Sequence, residues 1–153
     1  MLCKPAESCF LKGMKELKKG NHMDALVHFE AALDLEKKYG KAVPQSRYLS
    51  YYGLCVGIVT KDVKEAINLC KKAVELEFYN PDLFHNLGYV YLLAGMRLEA
   101  RNAFIEGLKM QNNHREILQD LKRLGVRRKP IFPFLHRSHI LNKIAGKLAS
   151  SIR

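Results

Sequence analysis

The feature that most constrains this chain is a recurrence of about 34 residues. Pro81 to His114 reads PDLFHNLGYVYLLAGMRLEARNAFIEGLKMQNNH, with a large aromatic at the fourth position (Phe84), then Leu87, Gly88 and Tyr91, Ala100 at the twentieth, Phe104 at the twenty-fourth and Gly107 at the twenty-seventh. The pattern returns upstream in residues 6–39 (Gly13, Gly20, Ala25, Phe29, Ala32, Leu33) and in residues 46–80 (Leu49, Tyr52, Gly53, Val56, Ala66, Cys70, Ala73). Within each copy the apolar residues follow helical period and are interrupted midway by a turn. Gly95 suits such a turn, because glycine enters the left-handed region without steric cost. A pair of amphipathic helices cannot bury its apolar faces alone, so three in tandem must stack on one another. The fold class this implies is all-α.

Small residues mark where the rods come close. Gly88 and Ala100 fall where the two helices of one unit approach, and Gly107 where the next unit stacks. A glycine inside a helix costs about 1 kcal/mol relative to alanine, so Gly53, Gly57, Gly88 and Gly107 each need a packing reason. Three irregularities carry expectations. In the first copy Cys9, Lys12 and Glu16 stand where the third copy has Phe84, Leu87 and Tyr91, so its first helix is the least well specified. The second copy needs one extra residue between Gly53 and Ala66, which predicts a lengthened turn, and the insertion Gly40 to Gln45, with Pro44, predicts that copies one and two are splayed.

The third copy resembles a tetratricopeptide repeat. The family's spacing is W-x2-L-G-x2-Y followed by A-x3-F; here Phe84 replaces the Trp, Gly107 replaces the usual Ala, and the late Pro is missing. The resemblance implies a right-handed superhelix whose concave face is lined by the first helix of every repeat. The family's groove slots fall on Phe10, Met14 and Leu17, then on Arg47, Ser50, Tyr51, Leu54 and Ile58, and then on Asp82, His85, Asn86, Tyr89, Leu92 and Leu93. Such a lining is mostly apolar with aromatic anchors and suits an amphipathic helix or an apolar peptide of another protein. The implied function is a non-enzymatic interaction module, with Tyr51, Leu54, His85, Tyr89 and Leu93 as anchors and Arg47 and Asn86 fixing polar register. One use of the family is a clamp for a C-terminal carboxylate. This chain lacks the Lys, Arg and Asn set: Phe10 and Met14 replace polar residues, and Asp82 would repel a carboxylate.

Beyond Gln111, a helix beginning at Asn113 or His114 and ending at Gly125 would place Ile117, Leu118, Leu121 and Leu124 on one stripe and Arg115, Glu116, Asp120, Lys122 and Arg123 on the other, as a cap for the open stack. The expected organisation is a repeat domain over 1–125 and a distinct segment over 126–153. That segment carries seven basic residues and no acidic one, out of a net charge of +11. Pro130 and Pro133 favour an extended strip bearing Phe132 and Phe134, and from Ser138 onward Ile140, Leu141, Ile144, Leu148 and Ile152 fall at helical period. Arg127, Arg128, Lys129, Arg137, Lys143 and Lys147 open a rival reading, in which the tail contacts nucleic acid or an anionic membrane surface and the repeats are a scaffold. The apolar stripe of the tail is also a candidate cover for the chain's own groove.

No residues assemble into a catalytic or cofactor motif. The histidines at 22, 28, 85, 114, 136 and 139 form no ligand set, and the phosphate-binding glycine loops, the G-x-S-x-G elbow and H-E-x-x-H are all missing, so no cofactor or metal is expected. The four cysteines form no C-x-x-C pair, which fits Cys55 and Cys70 as small buried apolar groups in a reducing compartment. No stretch reaches the 18 to 20 apolar residues of a membrane span, and a cytoplasmic location is expected.

Overall fold

The computed structural model describes residues 4–39 and 45–125. Seven α-helices follow one another: α1 (Lys4–Lys19), α2 (His22–Tyr39), α3 (Ser46–Val59), α4 (Val63–Leu76), α5 (Pro81–Leu93), α6 (Arg97–Met110) and α7 (Arg115–Leu124). Among the described residues there is no strand, and no helix is long and apolar enough to cross a membrane. Consecutive helices pair as α1 with α2, α3 with α4 and α5 with α6. The pairs stack through α2 on α3, α4 on α5 and α3 on α5, and α7 closes the end against α6.

The turns follow from local chemistry. Gly20 and Gly95 take positive φ (84° and 73°) between the helices of the first and third pairs, as their sequence positions require. In the second pair Lys61 takes φ 62°, and the turn is no longer than that of the third pair, contrary to the expectation. The extra residue is absorbed in the helix: α3 runs 14 residues where α5 runs 13. Thr60 donates its hydroxyl to the Val56 carbonyl (2.8 Å) and Asp62 accepts the Glu65 amide (3.0 Å), so the left-handed lysine is flanked by two side-chain caps. Asn80 caps α5 by accepting the Asp82 amide (3.1 Å), with Pro81 in the first turn where its missing N–H costs nothing.

The core lies between the helices in two adjoining clusters. Phe29, Phe10, Tyr48 and Cys55 fill the joint between the first and second pairs, so α1 forms despite its weak match and the first two pairs are closed on each other rather than splayed. Residues 40–44 lie outside the described residues, but the far side of that connection is held: buried Glu36 accepts the backbone N–H of Gln45 at 2.7 Å. The second cluster runs through Leu54, Val56, Cys70, Leu87, Val90, Phe104 and Ile117.

Glycine explains how closely the rods approach. A Cβ on Gly13 would lie 2.6 Å from Phe29, one on Gly88 would overlap the ring of Phe104, and one on Gly107 would lie 2.6 Å from Ile117 of the next unit. Gly57, outside the repeat's small slots, also has its reason: a Cβ there would meet that of Ala66 at 3.1 Å.

Candidate functional site: the seam and face of the first helices

The first helices of successive units, α1, α3, α5 and α7, meet at one recurring pair of repeat positions, beside other contacts such as those of Glu7 on α1 with Arg47 and Tyr48 on α3. The ring of Phe10 on α1 meets Tyr51 on α3 edge-on at 5.6 Å. Asn86 on α5 donates through Nδ2 to the hydroxyl of Ser50 on α3 (3.0 Å), and His85 on α5 meets Asp120 on α7 through Nε2 and Oδ2 (3.0 Å). The pairs occupy neighbouring repeat positions, yet they run from apolar through neutral polar to charged.

This seam decides where the expected groove residues go. Phe10, Ser50, Leu54 and Asn86 turn inward and are buried, so they build the joints and present little to a partner. Asn86 is the clearest case, because its amide is used by Ser50 in a site closed to water. Arg47 is also engaged within the chain. It pairs with Glu7 through Nη2, donates from Nε to Gln45 Oε1 (2.9 Å), and lies over the rings of Phe10 (5.0 Å) and Tyr48 (5.2 Å). His85 stacks between Phe104 (6.0 Å) and His114 (5.8 Å) while bonded to Asp120. Met14, Tyr51 and Tyr89 are half-buried, as are Leu17, Ile58 and Leu92, and Leu93 is exposed. The basic residues Arg127, Arg128, Lys129, Arg137, Lys143 and Lys147 lie outside the described residues.

The cap helix differs from the expectation by a rotation. His114 is its N-cap: Nδ1 accepts the Ile117 amide (3.4 Å), which leaves the proton on Nε2 to donate to Asp82 Oδ1 at 2.8 Å. Asp120, expected on the solvent face, is buried against His85 and also accepts from Arg123 (3.2 Å), while Leu118, expected on the apolar stripe, is 37% exposed. A charge-assisted pair across the α5–α7 joint thus outweighs the apolar pattern of the helix taken alone.

Electrostatics divides this face along its length. At the N-terminal ends of α5 and α7, Asp82 (55% exposed) and Glu116 (62% exposed) place negative charge near Tyr51. The Tyr51 phenol is held above its ordinary value, first by burial and then by these two carboxylates. The opposite end, around Ile58, Leu92 and Leu93, carries apolar side chains. Among the described residues no three His, Cys, Asp or Glu side chains converge as metal ligands.

Sequence reasoning missed Glu7, Asp120 and His114 as joint-forming groups. A usable signal existed: Ser50 and Asn86 are separated by 36 residues, and His85 and Asp120 by 35, one repeat period plus one or two.

No family model matches the chain, and no curated protein matches it. Solved structures do. The first TPR domain of Spaghetti (RPAP3), bound to an HSP90 peptide SRMEEVD, superposes with a TM-score of 0.63 at 17% identity, covering 81% of this chain and 93% of that one. The Arabidopsis OM64 TPR domain gives 0.63 at 17% identity over 80% and 95% of the two chains. PcrH in complex with the chaperone binding region of PopB gives 0.60 at 16% identity over 81% and 97%. Likeness at this level of identity is likeness of fold. With paired helices recurring at the repeat period and small residues at each crossing, the described residues fold as a tetratricopeptide-repeat stack of three helix pairs closed by a seventh helix.

Proposed function

We propose that this chain is a non-enzymatic interaction module that binds an amphipathic helix or apolar peptide along the face of α1, α3 and α5. The observation that carries the reading is the set of half-buried apolar side chains there: Met14, Leu17, Tyr51, Ile58, Tyr89 and Leu92. Each is anchored by packing on the core beneath it, so little side-chain freedom is left to lose on binding. Two of the structurally similar domains, that of Spaghetti and PcrH, hold segments of other proteins, which supports a partner of this general kind. The chemistry of the partner differs from that of an acidic chain end. With Arg47 committed to Glu7, and Asp82 and Glu116 exposed at one end, the face favours an apolar segment carrying a cation at one terminus.

The test is a peptide chosen by display against the full chain, followed by fluorescence anisotropy. Tyr89→Ala and Met14→Ala should each weaken it about tenfold with the helical circular dichroism unchanged, the range expected for truncating a central anchor. Selected peptides that end in acidic residues and require a free carboxylate would refute the reading, as would affinity indifferent to both substitutions.

A further inference from the structure

We infer that the occupant of this face in the resting protein is the chain's own segment 138–152, laid antiparallel to α5. The inference rests on the groove reading above and adds regulation to it. Four observations support it.

The first is where the described chain ends. Gly125 leaves α7 at φ 77°, and Arg97 Nη2 donates to the Leu124 carbonyl at 2.8 Å, which fixes the exit beside the start of α6 and hence the end of α5 that carries Leu92 and Leu93. Leu121 and Leu124 belong to the core cluster that also takes in Leu92 and Ile58. The second is reach. Residues 126–137 contain Pro130 and Pro133 and can span about 40 Å extended, well beyond the roughly 27 Å of three helix-to-helix steps from α7 to α1. The third is fit. As a helix, 138–152 would be about 22 Å long, close to the roughly 20 Å of α3 and α5, and would offer Ile140, Leu141, Ile144, Leu148 and Ile152 as one stripe. An uncovered stripe of five large apolar side chains is uncommon on a monomer surface.

The fourth is charge. Residues 126–153 carry no acidic side chain, and Asp82 and Glu116 lie at the end of the face away from the exit. A segment running back from the exit brings Lys147 and Arg153 toward those carboxylates, whereas a parallel one would bring Arg137 there and leave its far end over Leu93. Polarity is therefore part of the inference. A tethered segment acts at an effective concentration of about a millimolar, so an intrinsic dissociation constant near a tenth of that would hold the face about nine-tenths occupied. A partner would then bind about tenfold more weakly than the face itself permits.

The experiment uses the full chain with a photoreactive benzoylphenylalanine at Ser151, within the apolar stripe, or, separately, at Asn142, in the turn that carries Ile140 and Leu141. Crosslinks within one molecule are expected from position 151 to 47–51 or 82–89, and from position 142 to 58 or 92–93. Crosslinks formed only between copies, or landing outside α1, α3, α5 and α7, overturn the inference; exchanged targets overturn its polarity. A labelled peptide of residues 138–152 added in trans provides the second readout. It should bind the full-chain double variant Ile144→Asp, Leu148→Asp about tenfold tighter than the unaltered chain. Equal affinity, or no binding to the variant, removes self-docking. The display-selected peptide and its loss on Tyr89→Ala then judge the groove reading separately.

Discussion

Gly88 offers the most direct test of how these helices are held. Adding a Cβ there drives it into the ring of Phe104, whose Cζ would lie at 2.9 Å, and Phe104 is fully buried. Overpacking of this kind costs about 1–3 kcal/mol. Exchanging glycine for alanine in a helix returns about 1 kcal/mol. The severity of the overlap places the steric cost at the upper end of its range, so Gly88→Ala should lose about 2 kcal/mol net, a shift of roughly 8 °C in Tm for a chain of this size. Gly57→Ala is the control. Its nearest contact is the Ala66 Cβ at 3.1 Å, which a shift of a few tenths of an ångström relieves, and its stability should stay within about 1 kcal/mol of the parent. Urea unfolding followed by far-ultraviolet circular dichroism reads both. The decisive comparison places Gly88→Ala on Phe104→Leu: with the ring gone, the alanine should cost less than about 0.5 kcal/mol. Should Gly88→Ala prove neutral, or its cost survive loss of the ring, the steric reasoning is wrong.

Three further outcomes follow from particular groups. Burial, with Glu7 beside Tyr48 and with Asp82 and Glu116 near Tyr51, holds both phenols above their ordinary value. Their unfolded counterparts ionise near pH 10, so stability is intact below that pH and falls above it by about 1.4 kcal/mol per pH unit for each tyrosine, measurable as a urea midpoint that drops steeply between pH 10 and 11. Burial pushes the thiols of Cys55 and Cys70 up to about 12, leaving about one part in ten thousand as thiolate at pH 8, so both should resist a disulfide reagent until urea unfolds the chain. Asn86→Ala strands the Ser50 hydroxyl in a buried joint and should cost about 2 kcal/mol, whereas Ser50→Ala with Asn86→Leu should recover at least half of the loss in thermal unfolding.

Much of the fold is legible in the recurrence because its signals are local: turn glycines, helical periodicity and small residues at crossings each act within one unit. Gly13 facing Phe29 and Gly88 facing Phe104 are the same device read in two copies. What the periodicity could not supply was the rotation of each helix about its own axis, which is settled by partners one unit away. Asn86 turns inward because Ser50 waits there, and Asp120 is buried because His85 and Arg123 receive it. Phe10 turns in to fill space among Phe29, Tyr48 and Tyr51, where the repeat's usual aromatics are replaced by Cys9 and Glu16. A slot map takes the faces as fixed, and so it assigned the buried Phe10, Ser50, Leu54 and Asn86 to the surface. The α3 turn fails for a related reason: residue counting registers an extra residue but does not say whether helix or turn takes it up.

The unlike joints of the stack have one more consequence. Ring on ring, amide on hydroxyl and imidazole on carboxylate behave as three keys cut for three locks, so the modules are not interchangeable bricks. Transplanting the third unit's leading rod behind the first would set Asn86 against Phe10 and leave an amide without an acceptor in a sealed space. The order of the units is thereby written into the joints themselves, and an array reordered in this way would fail at its new boundary.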